Sequence, residues 1–315
     1  MSKLLRNVNQ RTQMAGENRL ELLLFRLQNG QLYGINVFKV KKIIPCPPLT
    51  QMPYHHPHVA GVANTMDGSL PILDMLSAIQ SGKVDNPRSQ QVILCEYNRK
   101  MQGFLVDKIE NIVNMEWSDI VLPPKGIGSR HYLTSVTRYD GRLVEIIDVE
   151  KVISEVTPLP EDMNAQITED FGELKTSEVP RKVLVVDDSV VARNQIKRCL
   201  EKVELDTVLL KDGKQALEHL KTMADEGKKP WEEYLLMISD IEMPEMDGYT
   251  LTRQVKQDDR LSELFILMHT SLSGVFNESM VKRVGADNFI AKFDADDLAM
   301  AVLDHFRKRT TPAAS

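Results

Sequence analysis

The chain has 315 residues, of which 42% are hydrophobic and 27% charged, the balance of a globular protein long enough for two domains. Its net charge of −6 is not segregated, because 19 basic and 21 acidic residues precede position 181 and 20 basic and 24 acidic residues follow. Neither part has the basic surplus that binding to a phosphate backbone requires, so a nucleic-acid partner is disfavoured.

The cysteines and the N-terminus indicate the compartment. The three cysteines, Cys46, Cys95 and Cys199, are odd in number and widely spaced, which disfavours disulfides and a Cys-type metal site. The opening MSKLLRNVNQR lacks the apolar stretch of a signal peptide, and no run approaches the roughly 20 apolar residues that span a bilayer. The sequence therefore predicts a cytoplasmic protein without direct membrane insertion.

The sequence changes character near its middle. Residues 154–178 contain seven acidic residues, one lysine, two prolines and no sustained apolar period, which predicts a mobile linker. A short helix between Met163 and Leu174 is compatible with the pattern. We divide the chain into an N-terminal segment (1–17), a first domain (18–153), the acidic linker (154–178), a second domain (179–309) and a tail (310–315).

The first domain is predicted to be nearly all β. Its apolar runs are short and bounded by turn residues, as at Gln91–Tyr97. Gly34–Val40 and Gly103–Ile109 share the frame G-x-x-V-x-K-[VI], and each is followed by a proline pair and a D-G-x-L hairpin turn. Two copies at a period of about 70 residues indicate two similar small β modules packed side by side rather than a solenoid.

The second domain alternates apolar runs with helical segments. The runs lack polar alternation, as parallel strands covered on both faces do. They are Val183–Val186, Thr207–Leu210, Leu235–Ile238, Phe265–Met268 and Asn288–Ala291. Five βα units of this size predict an α/β fold with a doubly wound parallel sheet, whose site lies at the carboxyl ends of the strands.

Polar residues follow four of these strands. Asp187 and Asp188 end the first, Asp240 the third, Thr270 the fourth and Lys292 the fifth. Each alone has an ordinary explanation as a helix cap, a strand residue or a solvated charge, but their shared placement disfavours coincidence. Clustered carboxylates need a cation, and their oxygens suit Mg²⁺. With a lysine and a hydroxyl, the edge is predicted to be a phosphoryl-transfer site.

The second domain also resembles a known family. The stretches VLVVDDS, SDIEMPEMDGY, LMHTS and GADNFIAKF are similar to the receiver domain of two-component response regulators over about 125 residues. The resemblance implies that Asp240 is the phosphorylation site and that Asp188 and Asp240 ligate Mg²⁺ directly. It further implies that Asp187 acts through water and that the backbone carbonyl of Glu242 is a third protein ligand.

The same resemblance assigns the residues that respond to phosphorylation. Thr270 would contact the phosphoryl group, Phe289 would be the aromatic ring that turns with it, and Lys292 would pair with a phosphate oxygen. Phe293 stands where the family usually has proline, so the peptide geometry after Lys292 departs from the family's pattern. The chemistry of the site does not depend on that position.

The first domain offers no catalytic constellation or phosphate loop, which predicts a binding role. Its histidine cluster, His55-His56-Pro57-His58, lies in a proline-broken loop without a helical face, so we disfavour a metal site there. The ordered pieces Tyr33–Val37, Val40–Ile44, Pro53–Pro57, Gly61–Asn64, Leu70–Asp74, Gly103–Asp107 and Ile146–Asp148 resemble CheW-type coupling domains over residues 18–153. That family implies two small SH3-like five-stranded barrels.

A CheW-like coupling domain followed by a receiver resembles the CheV-type chemotaxis coupling proteins. The resemblance implies an adaptor, not an enzyme, that joins chemoreceptors (methyl-accepting chemotaxis proteins) to the histidine kinase CheA in membrane-associated receptor arrays. Phosphorylation of Asp240 by CheA would retune that coupling, and the receiver would release the phosphoryl group by hydrolysis. Asn64 and Met66 are the candidate partner contacts, Met66 standing where the family has an arginine.

Two alternatives remain open from the sequence. The first is a phosphate sink that drains phosphoryl groups from CheA, because a sink and a switch would use the same Asp240. The second is a response regulator with another output, which is disfavoured because no helix-turn-helix pattern or basic patch lies outside the receiver.

Overall fold

The structure is a computed structural model that describes residues 19–53, 56–65, 68–97, 100–116, 119–121, 132–156, 164–173, 179–243, 245–270, 281–291 and 294–310. The chain forms two compact units, Met1–Leu159 and Pro160–Ser315. Each unit is described by itself.

The first unit is built mainly from β-strands, as the sequence predicts. The strands are β1 (Arg19–Arg26), β2 (Leu32–Asn36), β3 (Val40–Pro45), β4 (Leu49–Thr50), β5 (Val59–Thr65), β6 (Gly68–Asp74), β7 (Gln91–Tyr97), β8 (Lys100–Val106), β9 (Lys108–Glu116), β10 (Leu133–Tyr139) and β11 (Arg142–Ile147). The described residues of this unit also form two helices, α1 (Met75–Ala78) and α2 (Val149–Val156), and two 3₁₀ turns, Val37–Lys39 and Pro87–Ser89.

These strands form two sheets, with the orders β10-β11-β2-β1-β9 and β3-β7-β8-β6-β5-β4. The two predicted modules are therefore confirmed. The second sheet has six strands rather than five, because the two-residue strand β4 pairs with β5. The sequence repeats do not coincide with the sheets: the chain leaves the first sheet at the Val37–Lys39 turn and returns to it at β9.

The packing of strand β1 explains why polar residues do not alternate with its apolar residues. Leu22 and Leu24 are buried in a core that includes Val144 of the first sheet. Leu23 and Phe25, which point to the opposite face, are buried in a larger core that also contains residues of the second sheet. Both faces of β1 are thus covered, and the two sheets share one of the cores.

The β10–β11 turn has the backbone geometry of a tight hairpin. At the β10–β11 turn, Asp140 and Gly141 have positive φ angles of 48° and 72°, which fit the mirror-image turns of tight hairpins. Strands β6 and β11 are followed by the helices α1 and α2, and an aspartate holds the first turn of each helix. The side chain of Asp74 accepts a hydrogen bond from the Ser77 amide (3.1 Å), and that of Asp148 accepts one from the Lys151 amide (3.0 Å).

The second unit has the predicted alternation of strands and helices. Its strands are β12 (Lys182–Val186), β13 (Asp206–Leu210), β14 (Leu236–Asp240), β15 (Ile266–Thr270) and β16 (Asn288–Ala291). Its helices are α3 (Ala165–Glu173), α4 (Val190–Glu201), α5 (Gly213–Asp225), α6 (Pro230–Glu233), α7 (Gly248–Gln257) and α8 (Ala295–Thr310). Over the described residues, no helix is both long and apolar enough to cross a membrane.

All five strands are parallel, in the order β13-β12-β14-β15-β16, which confirms the doubly wound sheet. Helices cover both faces of this sheet. Val183 and Val185 of β12 pack in a core with residues of α4 and α8, and Leu184 packs in a second core with residues of α5 and α7. The alternation of β12 between two cores accounts for its uninterrupted apolar sequence.

Part of the acidic linker is helical. The short helix with which the sequence is compatible is present as α3, inside residues 154–178, for which the sequence predicts a mobile linker. Ile167 and Phe171 are buried in the core that α8 and α4 share, with exposed fractions of 7% and 1%. The sequence showed two apolar residues one helical turn apart, but the surface that buries them belongs to a helix more than 130 residues away. Residues 157–163 and 174–178 lie outside the described part.

Candidate phosphoryl-acceptor site

Three aspartates converge at the carboxyl edge of the parallel sheet. Strands β12 and β14 are neighbours, with Val186 opposite Ser239, so the residues that follow β12 lie beside Asp240 at the end of β14. Asp187, Asp188 and Asp240 each offer a carboxylate oxygen within 4.8 Å of the others. Asp187 and Asp240 are buried and Asp188 is half-buried. The structure thus brings together the three predicted carboxylates.

Hydrogen bonds fix the backbone around two of these carboxylates. Asp187 Oδ1 accepts a bond from the amide of Ser189 (2.8 Å), and the guanidinium of Arg193 donates to the backbone carbonyl of Asp187. Asp240 Oδ1 accepts a bond from the amide of Ile241 (2.7 Å), while the Ser239 hydroxyl donates to the Asp240 carbonyl (2.9 Å). The turns after both strands are therefore held by bonds to the aspartates themselves.

The donor set has the chemistry of a divalent-cation site. Three carboxylates so close together, two of them buried, repel one another unless a cation offsets their charge. Hard carboxylate oxygens are the ligands that Mg²⁺ prefers, and Mg²⁺ usually keeps several waters when one or two carboxylates hold it. Of the described residues, only these three form a group that could hold a metal ion.

Two glycines hold the loop after β14 close to the sheet. A β-carbon at Gly248 would overlap the carbonyl oxygen of Asp240, and the Gly248 amide donates to the Ile241 carbonyl (2.9 Å). A β-carbon at Gly213 would stand 2.5 Å from the carbonyl oxygen of Met246. The first turns of α5 and α7 therefore approach this loop so closely that only glycine fits at positions 213 and 248.

Sequence reasoning did not identify these glycines or Arg193. The signal for the glycines was an Asp-Gly pair at the start of each helix, where the aspartate is the N-cap. Asp212 Oδ1 accepts from the Gln215 amide and Asp247 Oδ1 from the Thr250 amide, both at 2.8 Å. The pairs indicate helix starts, but nothing local shows what lies against the glycine.

The remaining predicted site residues are described to different extents. Glu242 is half-buried, two residues beyond the end of β14. Thr270 ends β15, whose register places His269 opposite Asp240, so its backbone lies at the same edge; its side chain is not among those described. Lys292 lies outside the described residues. The predicted roles of these residues remain predictions.

Phe289 lies on β16 and links this strand to the region of the site. The ring is half-buried and packs against an apolar cluster that contains Ile241, Tyr249, Met268 and Val281. Ile241 directly follows Asp240, and Tyr249 lies in the first turn of α7. Phe289 and the residue that follows Asp240 therefore belong to one packed group of apolar side chains.

In the first unit, Asn64 is exposed near the end of β5, and its Oδ1 accepts a bond from the Ser69 hydroxyl (2.6 Å). Met66 lies outside the described residues.

The rings of His56 and His58 are 4.9 Å apart, and His58 Nδ1 is 2.8 Å from the Ser77 hydroxyl. Burial is the largest cause that lowers the pKa of His58, and the charge of the neighbouring His56 lowers this pKa further. His55 lies outside the described part.

Comparisons with known proteins match both halves of the chain. The CheW-like domain family matches residues 21–157, and the response regulator receiver domain family matches residues 183–303. Chemotaxis protein CheV1 of Helicobacter pylori is 28% identical over 322 residues, covering 96% of this chain and 98% of that protein. Chemotaxis protein CheY1 of the same organism is 35% identical over 112 residues, covering 35% of this chain and 84% of that protein. A probable chemotaxis protein CheW of Rhizobium etli is 28% identical over 138 residues, covering 43% of this chain and 88% of that protein.

These matches agree with the fold and with the aspartate cluster. A CheW-like β domain followed by a receiver defines an adaptor of chemotaxis signalling that is linked to a two-component system. The chain belongs to the receiver family in its second half and, taken whole, has the domain architecture of the CheV chemotaxis proteins.

Proposed function

We propose that this protein couples chemoreceptors to the histidine kinase CheA and that phosphorylation of Asp240 by the kinase regulates the coupling. The observation that carries the proposal is the position of Asp240. Its carboxylate lies within 4.8 Å of Asp187 and Asp188, at the carboxyl edge of a receiver that is joined to a CheW-like domain. The proposal includes recruitment to membrane-associated receptor arrays through the CheW-like domain.

In the proposed reaction, a carboxylate oxygen of Asp240 attacks the phosphorus of a phosphohistidine on the kinase. The bond between the histidine nitrogen and phosphorus breaks as the acyl phosphate forms. The phosphoryl group thus passes from the kinase histidine to Asp240, and the histidine is the leaving group. The Ile241 amide orients the Asp240 carboxylate, which is the nucleophile of this step.

The residues around Asp240 fit a bound Mg²⁺. We assign direct ligation to Asp188 and Asp240, a water-mediated contact to Asp187, and a third protein ligand to the backbone carbonyl of Glu242. When bound, the ion offsets the carboxylate charge and stabilises the charge on the transferring phosphoryl oxygens. Lys292 would pair with one of these oxygens, and Thr270 with another.

The regulatory step follows from contacts beyond the aspartates. As Thr270 moves toward the phosphoryl group, Phe289 would turn toward the space beside it. Phe289 packs against the apolar cluster that contains Ile241 and Tyr249, so its movement would change the surface that β15 and β16 present. The receiver would thus have two states, biased by a few charge-assisted hydrogen bonds.

Substitution of Asp240 by asparagine tests the proposal, because asparagine keeps the shape and removes the nucleophilic charge. We expect Asp240→Asn to lose transfer of radiolabelled phosphate from CheA and to lose binding of beryllofluoride with Mg²⁺, observed by ¹⁹F NMR. Asp206→Asn is a matched control, since Asp206 is exposed at the amino end of β13, the opposite edge of the sheet. Labelling of Asp240→Asn at the wild-type rate would contradict the assignment.

The same variant separates coupling from phosphate drainage. If the protein is an adaptor, receptor-stimulated CheA activity should depend on its presence even with Asp240→Asn, since the CheW-like domain is unchanged. If it only drains phosphoryl groups, Asp240→Asn should behave as if no protein had been added. Kinase activity in reconstituted receptor–CheA complexes, at fixed phosphate flux, measures the difference.

We place one partner contact at the hairpin that joins β5 and β6. Asn64 is exposed there, and the Ser69 hydroxyl holds its side-chain oxygen at 2.6 Å. In the sequence, Met66 stands between the last residue of β5 and the first residue of β6. An exposed polar side chain held by a neighbour keeps its orientation for a partner, because little rotamer freedom remains to be lost on binding.

A further inference from the structure

Helix α3 is bound to one helix of the receiver at its start and near its end. At its start, the Asn164 amide donates to Asp296 Oδ1 (2.9 Å) in the first turn of α8. Near its end, Asp170 pairs with Arg307 (2.7 Å) in the last turn of α8. Beside this ion pair, the ring of Phe171 meets the ring of Phe306 edge-on, with centroids 6.2 Å apart.

The docked helix depends on this surface for its stability. It has only nine residues, a length at which isolated helices are marginal in water, and it contains Gly172. Asn164 caps it, since its side-chain oxygen accepts from the Gln166 amide (3.0 Å), but burial of Ile167 and Phe171 provides most of the apolar contact. A modest change in α8 can therefore alter the docking of α3.

The start of α3 lies next to the start of α8, the helix that follows the carboxyl end of β16. Helix α8 follows β16, which carries Phe289, after only three residues, and Lys292 is one of them. Asp294 caps α8, accepting from the amides of Asp296 (3.0 Å) and Asp297 (3.2 Å). A shift of the connection between β16 and α8 would thus move the carboxylate that holds the start of α3.

We propose that α3 is a regulatory helix whose docking on α8 is loosened when Asp240 carries a phosphoryl group. This inference rests on the proposed phosphorylation of Asp240. Attraction of Lys292 to the phosphoryl oxygens draws the β16–α8 connection toward the site, which breaks the contact between Asn164 and Asp296. The chain from the CheW-like domain enters the receiver through α3, so its release changes the covalent path between the two domains.

Thermodynamic linkage makes the proposal testable from both sides. If a phosphoryl group at Asp240 weakens α3 docking by some factor, undocking α3 must strengthen binding of a phosphoryl mimic by the same factor. Phe171→Ala removes the buried ring and favours the undocked state. Gly172→Ala favours the helix and hence the docked state, because a β-carbon at Gly172 meets no atom within 4 Å.

The experiment uses the full chain and beryllofluoride with Mg²⁺ as the probe. Hydrogen exchange of the α3 amides is expected to accelerate about tenfold when the mimic is bound. The affinity for the mimic is expected to rise several-fold in Phe171→Ala and to fall in Gly172→Ala. Glu169→Ala, a change on the exposed face of α3, is the matched control and should leave the affinity unchanged.

The outcomes separate this inference from the proposal beneath it. A ¹⁹F signal of bound mimic with α3 exchange unchanged, or slowed, would overturn the regulatory role of α3 and leave the acceptor assignment intact. Absence of a bound-mimic signal in the wild-type protein would overturn both. Circular dichroism would show whether Phe171→Ala unfolds. If it does, the affinity of Gly172→Ala for the mimic decides whether docking of α3 is linked to the phosphoryl site.

Discussion

Gly248 lies so close to Asp240 that a β-carbon at residue 248 would overlap the Asp240 carbonyl oxygen. The contact is between backbone and backbone, so it cannot be relieved by rotating a side chain. Since Asp240 is buried and its amide neighbour Ile241 holds its carboxylate, the position of the acceptor depends on how closely α7 approaches the end of β14.

We therefore expect Gly248→Ala to displace the peptide of Asp240. Overpacking of this kind costs about 1–3 kcal/mol of stability, and the larger effect should be on the site, with mimic affinity reduced at least tenfold. Beryllofluoride binding by ¹⁹F NMR and urea unfolding measure the two effects. Gly213→Ala is the matched comparison, because its β-carbon would meet Met246 rather than Asp240. It should cost similar stability with less loss of affinity; equal losses of affinity would show that the approach to Asp240 is not specific.

Stability of the receiver should fall in mild acid because of His305. Its ring stacks on Phe265 with centroids 3.8 Å apart, and its Nε2 is 3.1 Å from the Leu235 carbonyl. Burial, with help from the charge of Arg309, lowers the pKa of His305 to about 4. The unfolded chain, with a histidine pKa of about 6.5, binds the proton first, so this contribution is present above pH 6.5 and is lost as the pH falls toward 4.

His305→Gln tests this, since glutamine cannot gain a charge and can still donate to the Leu235 carbonyl. The Tm of the receiver transition should drop between pH 7 and 4.5 in the wild-type protein and drop less in the variant. The same slope of Tm with pH in both proteins would assign the acid sensitivity to other groups. Scanning calorimetry across this range provides the measurement.

The sequence predicted those features that local pattern determines. The parallel strands were visible because a strand covered on both faces is apolar throughout, as in β12, and the aspartates because they follow such strands. It could not show which surface buries Phe171, since Phe306 lies 135 positions further along. Nor could it show that β3 joins the second sheet, because a strand has the same local pattern in either sheet. The role of Gly248 depends on a close approach that only the folded chain creates.

Met66→Arg tests the proposed contact at the β5–β6 hairpin. An arginine adds a positive charge where the CheW-like pattern has one, so binding to receptor or CheA should become more sensitive to salt. Titrations at about 50 and 300 mM salt compare the variant with the wild-type protein. Arg142→Lys, a charge-conserving change at an exposed position on β11, serves as a control. Identical salt dependence for Met66→Arg and wild type would place residue 66 outside the interface.

The glycines of the two sequence repeats should differ in their tolerance of alanine. A β-carbon at Gly103 would overlap Ile72 Cδ1 and stand 2.8 Å from Val92 Cγ1, whereas at Gly34 the nearest atom would be Val144 Cγ1 at 3.3 Å. Ile72 and Val92 are fully buried, and valine is stiff at χ1, so neither can withdraw freely. We expect Gly103→Ala to destabilise the first unit by about 1–3 kcal/mol and Gly34→Ala to cost clearly less. Urea unfolding of the two variants measures the difference, and equal midpoints would show that the second sheet adjusts as easily as the first.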